Sequence, residues 1–175
     1  MRIAACQMVS GLDPEKNLQD ALLLIRSAVQ SGAELVVLPE HFALMPTQET
    51  DLLKIAEPFG NGPIQNALSE IARTEQIWLC AGSIPLKGND DEHIIHSSII
   101  YCPDGEVRAR YDKIHLFHFD QGVHHFCESA MVQAGEHTQT TSMACWDGEW
   151  KVGMSICYDL RFPELFRALG GPDII

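Results

Sequence analysis

The chain has 175 residues, of which 46% are hydrophobic and 21% charged, a balance typical of a globular domain with one core. Its 12 basic and 24 acidic residues give a net charge of −12, which argues against nucleic acid and anionic membrane surfaces as partners. The six cysteines form no CxxC pair, and no apolar run is long enough for a transmembrane helix or a signal-peptide core. We therefore expect a cytoplasmic protein with reduced thiols.

The first elements along the chain predict a parallel βαβ unit. Residues 2–8 are typical of a buried strand, and Asp13 followed by proline is typical of a helix start. Apolar residues then recur at helical spacing until Gly32, and a second apolar strand follows at 34–40. Ligand groups in such units lie at the carboxyl end of a strand, where Glu40 stands.

The middle of the chain predicts further elements of the same domain. A short helical segment at 50–58 precedes a stronger helix, whose apolar stripe runs through 64–71, and then a strand at 77–85. A Pro-Asp-Gly turn joins strands at 94–101 and 106–111, which makes them antiparallel. The sheet is therefore expected to be mixed.

The last third of the chain predicts a second hairpin over 138–156, with its turn at an Asp-Gly pair. Cys157 is expected to end its second strand, a short helix follows at 163–169, and 173–175 open another buried strand. Because no linker separates two units, we expect residues 1–175 to belong to one α/β domain.

Three reactive side chains stand at the ends of predicted strands: Glu40, Lys113 and Cys157. A thiol with a pKa near ~8.5 is mostly protonated at neutral pH, so it needs a base or a cation to become a nucleophile. A carboxylate can take the thiol proton, and an ammonium can stabilise both the thiolate and an oxyanion. This combination predicts acyl transfer, whereas a cysteine without such partners is more often an inert core thiol.

Three sequence blocks resemble the signature blocks of the nitrilase superfamily of carbon-nitrogen hydrolases, in the same order and spacing: LPE at 38–40, YDKIHLF at 111–117 and ICYDLRFPELFR at 156–167. The resemblance implies Glu40 as general base, Lys113 as oxyanion stabiliser and Cys157 as nucleophile. Glu128 matches a second family glutamate, which helps to hold the lysine and orient the substrate. The backbone N–H of Tyr158 would complete the oxyanion hole.

CYDLRFPE is similar to the branch of small-acid amidases that includes ω-amidase and deaminated glutathione amidase. This resemblance implies an αββα sandwich with mixed sheets, often paired as a homodimer. It also implies a cofactor- and metal-independent hydrolase for carbon-nitrogen bonds other than peptide bonds, releasing ammonia from a small amide through a cysteine thioester. The family often has Asn at the position of His96, and its domain continues past Ile175. We therefore expect residues 1–175 to be the N-terminal part of a truncated domain.

Two alternatives stand beside the amidase. A truncated member of the same family could be a catalytically silent fragment or an interaction module, because uncovered sheet edges and apolar faces favour association. A metal-binding function could use the histidines and thiol within one short window: His115, His118, His124, His125 and Cys127. Their spacing fits no zinc motif, which favours a partly solvated loop over the pocket.

Asp159 and Arg161 follow the predicted nucleophile closely and allow two interpretations. They could pair with each other to fix the turn after Cys157. Alternatively, Arg161 could face a substrate carboxylate as a bidentate donor. We expect the structural role.

Overall fold

A six-stranded mixed sheet is the largest element of the computed structural model, which describes residues 1–122 and 124–175. In these residues the strands are β1 (Ile3–Ala5), β2 (Leu35–Val37), β3 (Trp78–Cys80), β4 (Ile84–Lys87), β5 (Ile94–Tyr101), β6 (Val107–Asp112), β7 (His118–Gln121), β8 (His124–Cys127), β9 (Thr140–Cys145) and β10 (Gly148–Gly153). The α-helices are α1 (Pro14–Gln30), α2 (Pro63–Glu75) and α3 (Pro163–Ala168). Shorter 3-10 helices span Glu49–Ile55, Glu128–Ala130 and Cys157–Arg161.

The sheet confirms the predicted βαβ unit and the mixed strand directions. Strands β1, β2 and β3 are parallel neighbours, and β5 runs antiparallel to β3. Strands β3 and β4 pair with successive parts of one side of β5, while β6 pairs with its other side. The carboxyl ends of β2 and β6 lead into Glu40 and Lys113.

Helices α1 and α2 cover one face of this sheet. The Asp13 side chain caps α1 by accepting a hydrogen bond from the backbone N–H of Lys16 at 3.1 Å, and Gly32 leaves the helix with a φ of 84°. Ala21 and Ile25 of α1 are fully buried in the core beneath the helices. The predicted helix start, helix end and buried stripe are therefore confirmed.

A second core lies on the opposite face of the sheet. There Leu35 and Ile100 of the sheet pack in one cluster with Met143 and Val152 of the β9–β10 hairpin and with Leu165 of α3. The central sheet thus separates these two cores, and a smaller third cluster contains Leu44, Leu52, Ile94 and Val132. The predicted αββα class with mixed sheets is confirmed. In the described residues, no helix is both long and apolar enough to span a bilayer.

The prediction of one continuous strand at 77–85 is wrong. The chain forms β3 and β4 with a bend between them, where Gly82 has a φ of 55°. A Cβ atom at this glycine would overlap the carbonyl oxygen of Pro39, so the close approach of the two segments requires glycine. The bend places Ser83 beside the residues that follow β2.

The burial predicted for the first strand is also wrong. Ile3 is 45% exposed, because its side of β1 borders an open apolar groove of about 410 Å³ between the sheet and the β9–β10 hairpin. The predicted strand at 173–175 is reduced to one parallel bridge between Ile174 and Val152, and Ile175 is 60% exposed.

Two further differences concern the site region. Strand β10 ends at Gly153, so Cys157 does not end a strand but begins a 3-10 helix four residues later. The segment predicted as a loop contains the antiparallel pair β7–β8. Every residue of β7 is exposed, so the strand lacks the buried alternate face by which sequence patterns reveal strands.

Candidate active site

Lys113 lies at the centre of a buried group of charges. Its Nζ donates hydrogen bonds to Oε1 of Glu40 at 3.1 Å and to Oε1 of Glu128 at 2.9 Å, and Lys113 is only 2% exposed. Burial lowers the pKa of a lysine, but the two carboxylates outweigh this effect and raise the Lys113 pKa above its ordinary value. The side chain is therefore an ammonium that two carboxylates share.

The segment that carries Glu40 is fixed against the bend between β3 and β4. The backbone N–H of Leu38 donates to the carbonyl of Cys80, and that of His41 donates to Oγ of Ser83 at 3.0 Å. His41 has a φ of 55°, a left-handed conformation that costs energy for a residue with a side chain. Hydrogen bonds before and after Glu40 thus fix the backbone that carries its carboxylate.

Cys157 projects from a sharp turn between β10 and α3. Its φ of 49° is in the left-handed region, and its side chain is exposed. Strained turns of this kind present nucleophiles at the edge of α/β sheets. Partial desolvation of this otherwise exposed thiol, and then the neighbouring carboxylate of Glu40, raise the pKa of Cys157 to about 11, and the charge of Lys113 offsets this only partly. At neutral pH the resting thiol is therefore protonated.

Glu128 is a buried carboxylate whose two oxygens have different partners. Oε1 accepts from Lys113, and Oε2 accepts from the backbone N–H of Phe117 at 2.6 Å. The backbone N–H of Glu128 also donates to the carbonyl of Phe117 at 3.0 Å. These bonds hold the start of its 3-10 helix against the chain that follows Lys113.

Asp159 joins the turn of Cys157 to the segment of Lys113. This fully buried carboxylate accepts from Tyr111 Oη and His115 Nδ1, each at 2.7 Å, and from the backbone N–H groups of His115 and Ile156 at 3.0 and 2.9 Å. The predicted pairing with Arg161 is wrong, because in the described residues these four donors occupy Asp159 and Arg161 is exposed. Sequence spacing alone could not identify partners 44 and 48 residues away.

Tyr158 follows Cys157 and packs into an aromatic group beside the turn. Its ring makes edge contacts with Phe117 and Phe162, at centroid distances of 5.2 and 5.3 Å. Phe162 in turn stacks on His115 at 3.7 Å. Aromatic packing therefore reinforces the hydrogen bonds of Asp159 in fixing the turn.

A pocket of about 290 Å³ opens next to this charged group. Its wall is formed by residues from three stretches of the chain, 41–52, 96 and 126–132: His41, Pro46, Thr47, Gln48, Leu52, His96, Phe126, Glu128 and Val132. Phe126 belongs to β8, so the β7–β8 pair borders the pocket as predicted for this segment. The volume is near the lower end for pockets that hold small molecules.

His96 is a functional candidate that the sequence analysis noted only as a departure from the family pattern. It is 1% exposed, and in the part of the chain that the structure describes neither ring nitrogen has a hydrogen-bond partner. Burial, with smaller contributions from His41 and Lys113, lowers its pKa to about 3. The signal for it in the sequence was a histidine at a position where the family often has Asn.

The histidine window is not assembled as a metal site in the described residues. His115 bonds to Asp159, while His125 pairs with Asp120 at 2.8 Å on the surface. His118 and Cys127 are exposed, and the side chain of His124 lies outside the described part. A group with metal-ligand spacing occurs elsewhere, at Glu40, His41 and His96.

Comparisons with known proteins identify the family of this chain. Residues 2–174 match the family described as carbon-nitrogen hydrolase. The chain is 36% identical over 170 residues to a deaminated glutathione amidase of Yersinia enterocolitica and 34% identical over 168 residues to a chloroplastic omega-amidase of Arabidopsis thaliana. These matches cover 95% and 93% of this chain, and it spans 57% and 44% of the relatives' lengths.

A solved structure gives the same result for the fold. An amidase from Nesterenkonia sp. AN1, described with acrylamide added at its active-site cysteine, superposes with a TM-score of 0.76 at 28% identity. The match covers 96% of this chain and 61% of that one. With the family match extending over nearly every residue, the chain belongs to the carbon-nitrogen hydrolases of the nitrilase superfamily.

Proposed function

We propose that this chain carries the catalytic residues of a cysteine-dependent amidase, which releases ammonia from a small carboxamide. The supporting observation is the buried ammonium of Lys113, which lies between Glu40 and Glu128 and acts electrostatically on Cys157. The relatives named deaminated glutathione amidase and omega-amidase support an amide as substrate.

In this mechanism, the proton of the Cys157 thiol moves to Glu40 as the sulfur attacks the amide carbonyl carbon. The carbonyl π electrons move to oxygen, and Lys113 and the backbone N–H of Tyr158 stabilise this oxyanion. Collapse of the intermediate breaks the carbon-nitrogen bond, and Glu40 returns the proton to the departing ammonia. Water, deprotonated by Glu40, then attacks the thioester carbonyl carbon. The carbon-sulfur bond breaks, and Glu40 returns the proton to sulfur, which restores the thiol.

Glu128 has a positioning role in this proposal. It keeps Nζ of Lys113 in place and offsets part of the cost of burying a cation. Because its second oxygen is bound to the backbone of Phe117, movement of the carboxylate is limited. No cofactor or metal takes part in the proposed steps.

Intact-protein mass spectrometry tests the covalent step directly. The protein is mixed with a panel of dicarboxylate monoamides and with deaminated glutathione, and an acyl adduct on Cys157 that hydroxylamine removes is expected. Cys157→Ala should give no adduct and no ammonia. Cys102→Ala serves as the matched control, because this half-buried thiol lies in the turn after β5.

The proposal fails if Cys157→Ala retains turnover, or if the adduct forms on another thiol. Loss of acylation in Cys102→Ala would also contradict it. Circular dichroism of each variant separates a missing nucleophile from a missing fold. The alternative of a silent interaction module predicts no adduct with any amide of the panel.

We also propose that the protein works in the cytoplasm as a homodimer. The six cysteines are all free, which suits a reducing compartment. The dimer is the assembly that the family resemblance implies, and sedimentation velocity of the purified protein measures it. A monomer at all concentrations would contradict this assembly.

A further inference from the structure

One buried histidine in the pocket wall has no part in the proposed hydrolysis. His96 is 1% exposed, and neither ring nitrogen bonds to any residue that the structure describes. Because buried polar atoms in native proteins are nearly always paired, this imidazole calls for a partner that enters from the pocket. A neutral imidazole offers a lone pair as well as an N–H group.

The neighbours of His96 supply two more ligand-type atoms. The His41 ring lies 4.9 Å from it, centroid to centroid, at an angle of 76°. One ligand atom from each of Glu40, His41 and His96 lies within 4.8 Å of the other two. The contact with Lys113 occupies only one oxygen of Glu40, so its carboxylate keeps lone pairs for a further ligand.

The geometry points to a divalent zinc site formed by Glu40, His41 and His96, with the pocket side open to a fourth ligand. Two imidazole nitrogens and one carboxylate are a donor set that Zn²⁺ binds in proteins. Ligands about 2.1 Å from a tetrahedral ion are about 3.4 Å apart, so these side chains must close inward when the ion binds. The half-buried ring of His41 lies at the pocket edge and can make most of this adjustment.

The charges around the pocket accommodate a dication. Glu40 and Glu128 carry two negative charges, and Lys113 balances only one of them. The remaining negative charge attracts Zn²⁺, whereas the ammonium beside Glu40 weakens the attraction. We therefore expect a reversible site that contributes no catalytic step.

Zinc at this place has a functional consequence that rests on the proposed amidase. An ion bound to Glu40 withdraws the lone pair that accepts the Cys157 proton, so zinc should inhibit acylation. The binding itself does not depend on that chemistry. Cys157→Ala, which cannot be acylated, should therefore bind zinc as the unchanged protein does.

Isothermal titration of metal-free protein with Zn²⁺ tests the site without any substrate. We expect one ion per chain, and His96→Asn and His41→Asn should each weaken binding by about 100-fold. The matched control replaces both His118 and His125 with Asn, which removes two imidazoles from the exposed histidine window. This control should bind zinc with unchanged affinity.

Cobalt provides a second measurement on the same variants. Tetrahedral Co²⁺ in the unchanged protein should give a strong visible absorption that is lost in His41→Asn. If His96→Asn does not fold, His41→Asn alone decides, since that ring is only half buried. The inference is overturned by absence of stoichiometric binding, by unchanged affinity in His41→Asn, or by loss of binding in Cys157→Ala or the double control. An inactive amidase with an intact zinc isotherm would refute only the proposed function.

Discussion

Replacing Asp159 with asparagine should both destabilise the protein and loosen its proposed nucleophile. Oδ1 accepts from two donors of His115, and Oδ2 accepts from Tyr111 Oη and the backbone N–H of Ile156. An asparagine keeps one acceptor oxygen and turns its NH₂ group towards the backbone N–H of either His115 or Ile156, which then loses its acceptor. Loss of this charge-assisted bond costs about 1.5–3 kcal/mol and removal of the negative charge weakens the other bonds, so the free energy of unfolding should fall by about 3 kcal/mol.

For a chain of 175 residues, this loss lowers Tm by about 6–12 °C. Differential scanning calorimetry measures the shift, and amide turnover should also fall, because displacement of Cys157 by about 1 Å can cost about 100-fold in rate. Asp104→Asn is the control, since exposed Asp104 accepts one backbone hydrogen bond that asparagine can retain. Equal Tm values for the two variants would refute the structural role of Asp159.

Three further outcomes are expected. Lys113→Met leaves two carboxylates without their shared cation, so kcat should fall about 100-fold or more in steady-state assays. The rate of Cys157 alkylation should rise with pH up to about 11. Glu40→Gln should shift this pH–rate profile to lower pH, and an unshifted profile would show that Glu40 does not raise the thiol pKa. Because folding raises the pKa of Cys157, its protonated thiol contributes to the free energy of unfolding. This contribution is complete below the ordinary thiol pKa and is lost as the pH rises to about 11. Gly82→Ala should lower Tm by several degrees, whereas Gly11→Ala, with open space around it, should not.

Local signals predicted the elements whose stability is decided locally. The Asp-Pro start and apolar stripe identified α1, and the Pro-Asp-Gly turn identified the β5–β6 hairpin with the correct direction. Glu40 and Lys113 could be placed for the same reason, because each follows a strand that its own pattern reveals. These residues needed no knowledge of distant contacts.

Features that depend on distant contacts could not be predicted in this way. The separation of β3 from β4 follows from the approach of Pro39 to Gly82, which are 43 positions apart in the numbering. The partners of Asp159 come from β6 and the segment after it, although a nearby arginine offered a simpler choice. The unpaired state of His96 depends on packing by several segments, which no local pattern contains.

The charge balance around Lys113 explains why the proposed reaction begins from a neutral thiol. Its ammonium is already shared by Glu40 and Glu128, so a third negative charge on Cys157 would give the group a net charge of −2. The raised thiol pKa reflects this cost, together with burial. During attack, however, Glu40 is neutralised by the thiol proton while a negative charge forms on the substrate oxygen. The net charge of the group therefore stays at −1, and no thiolate accumulates. Stabilisation by Lys113 is therefore directed to the transition state and not to a resting thiolate, which is the condition for catalysis rather than tight ground-state binding.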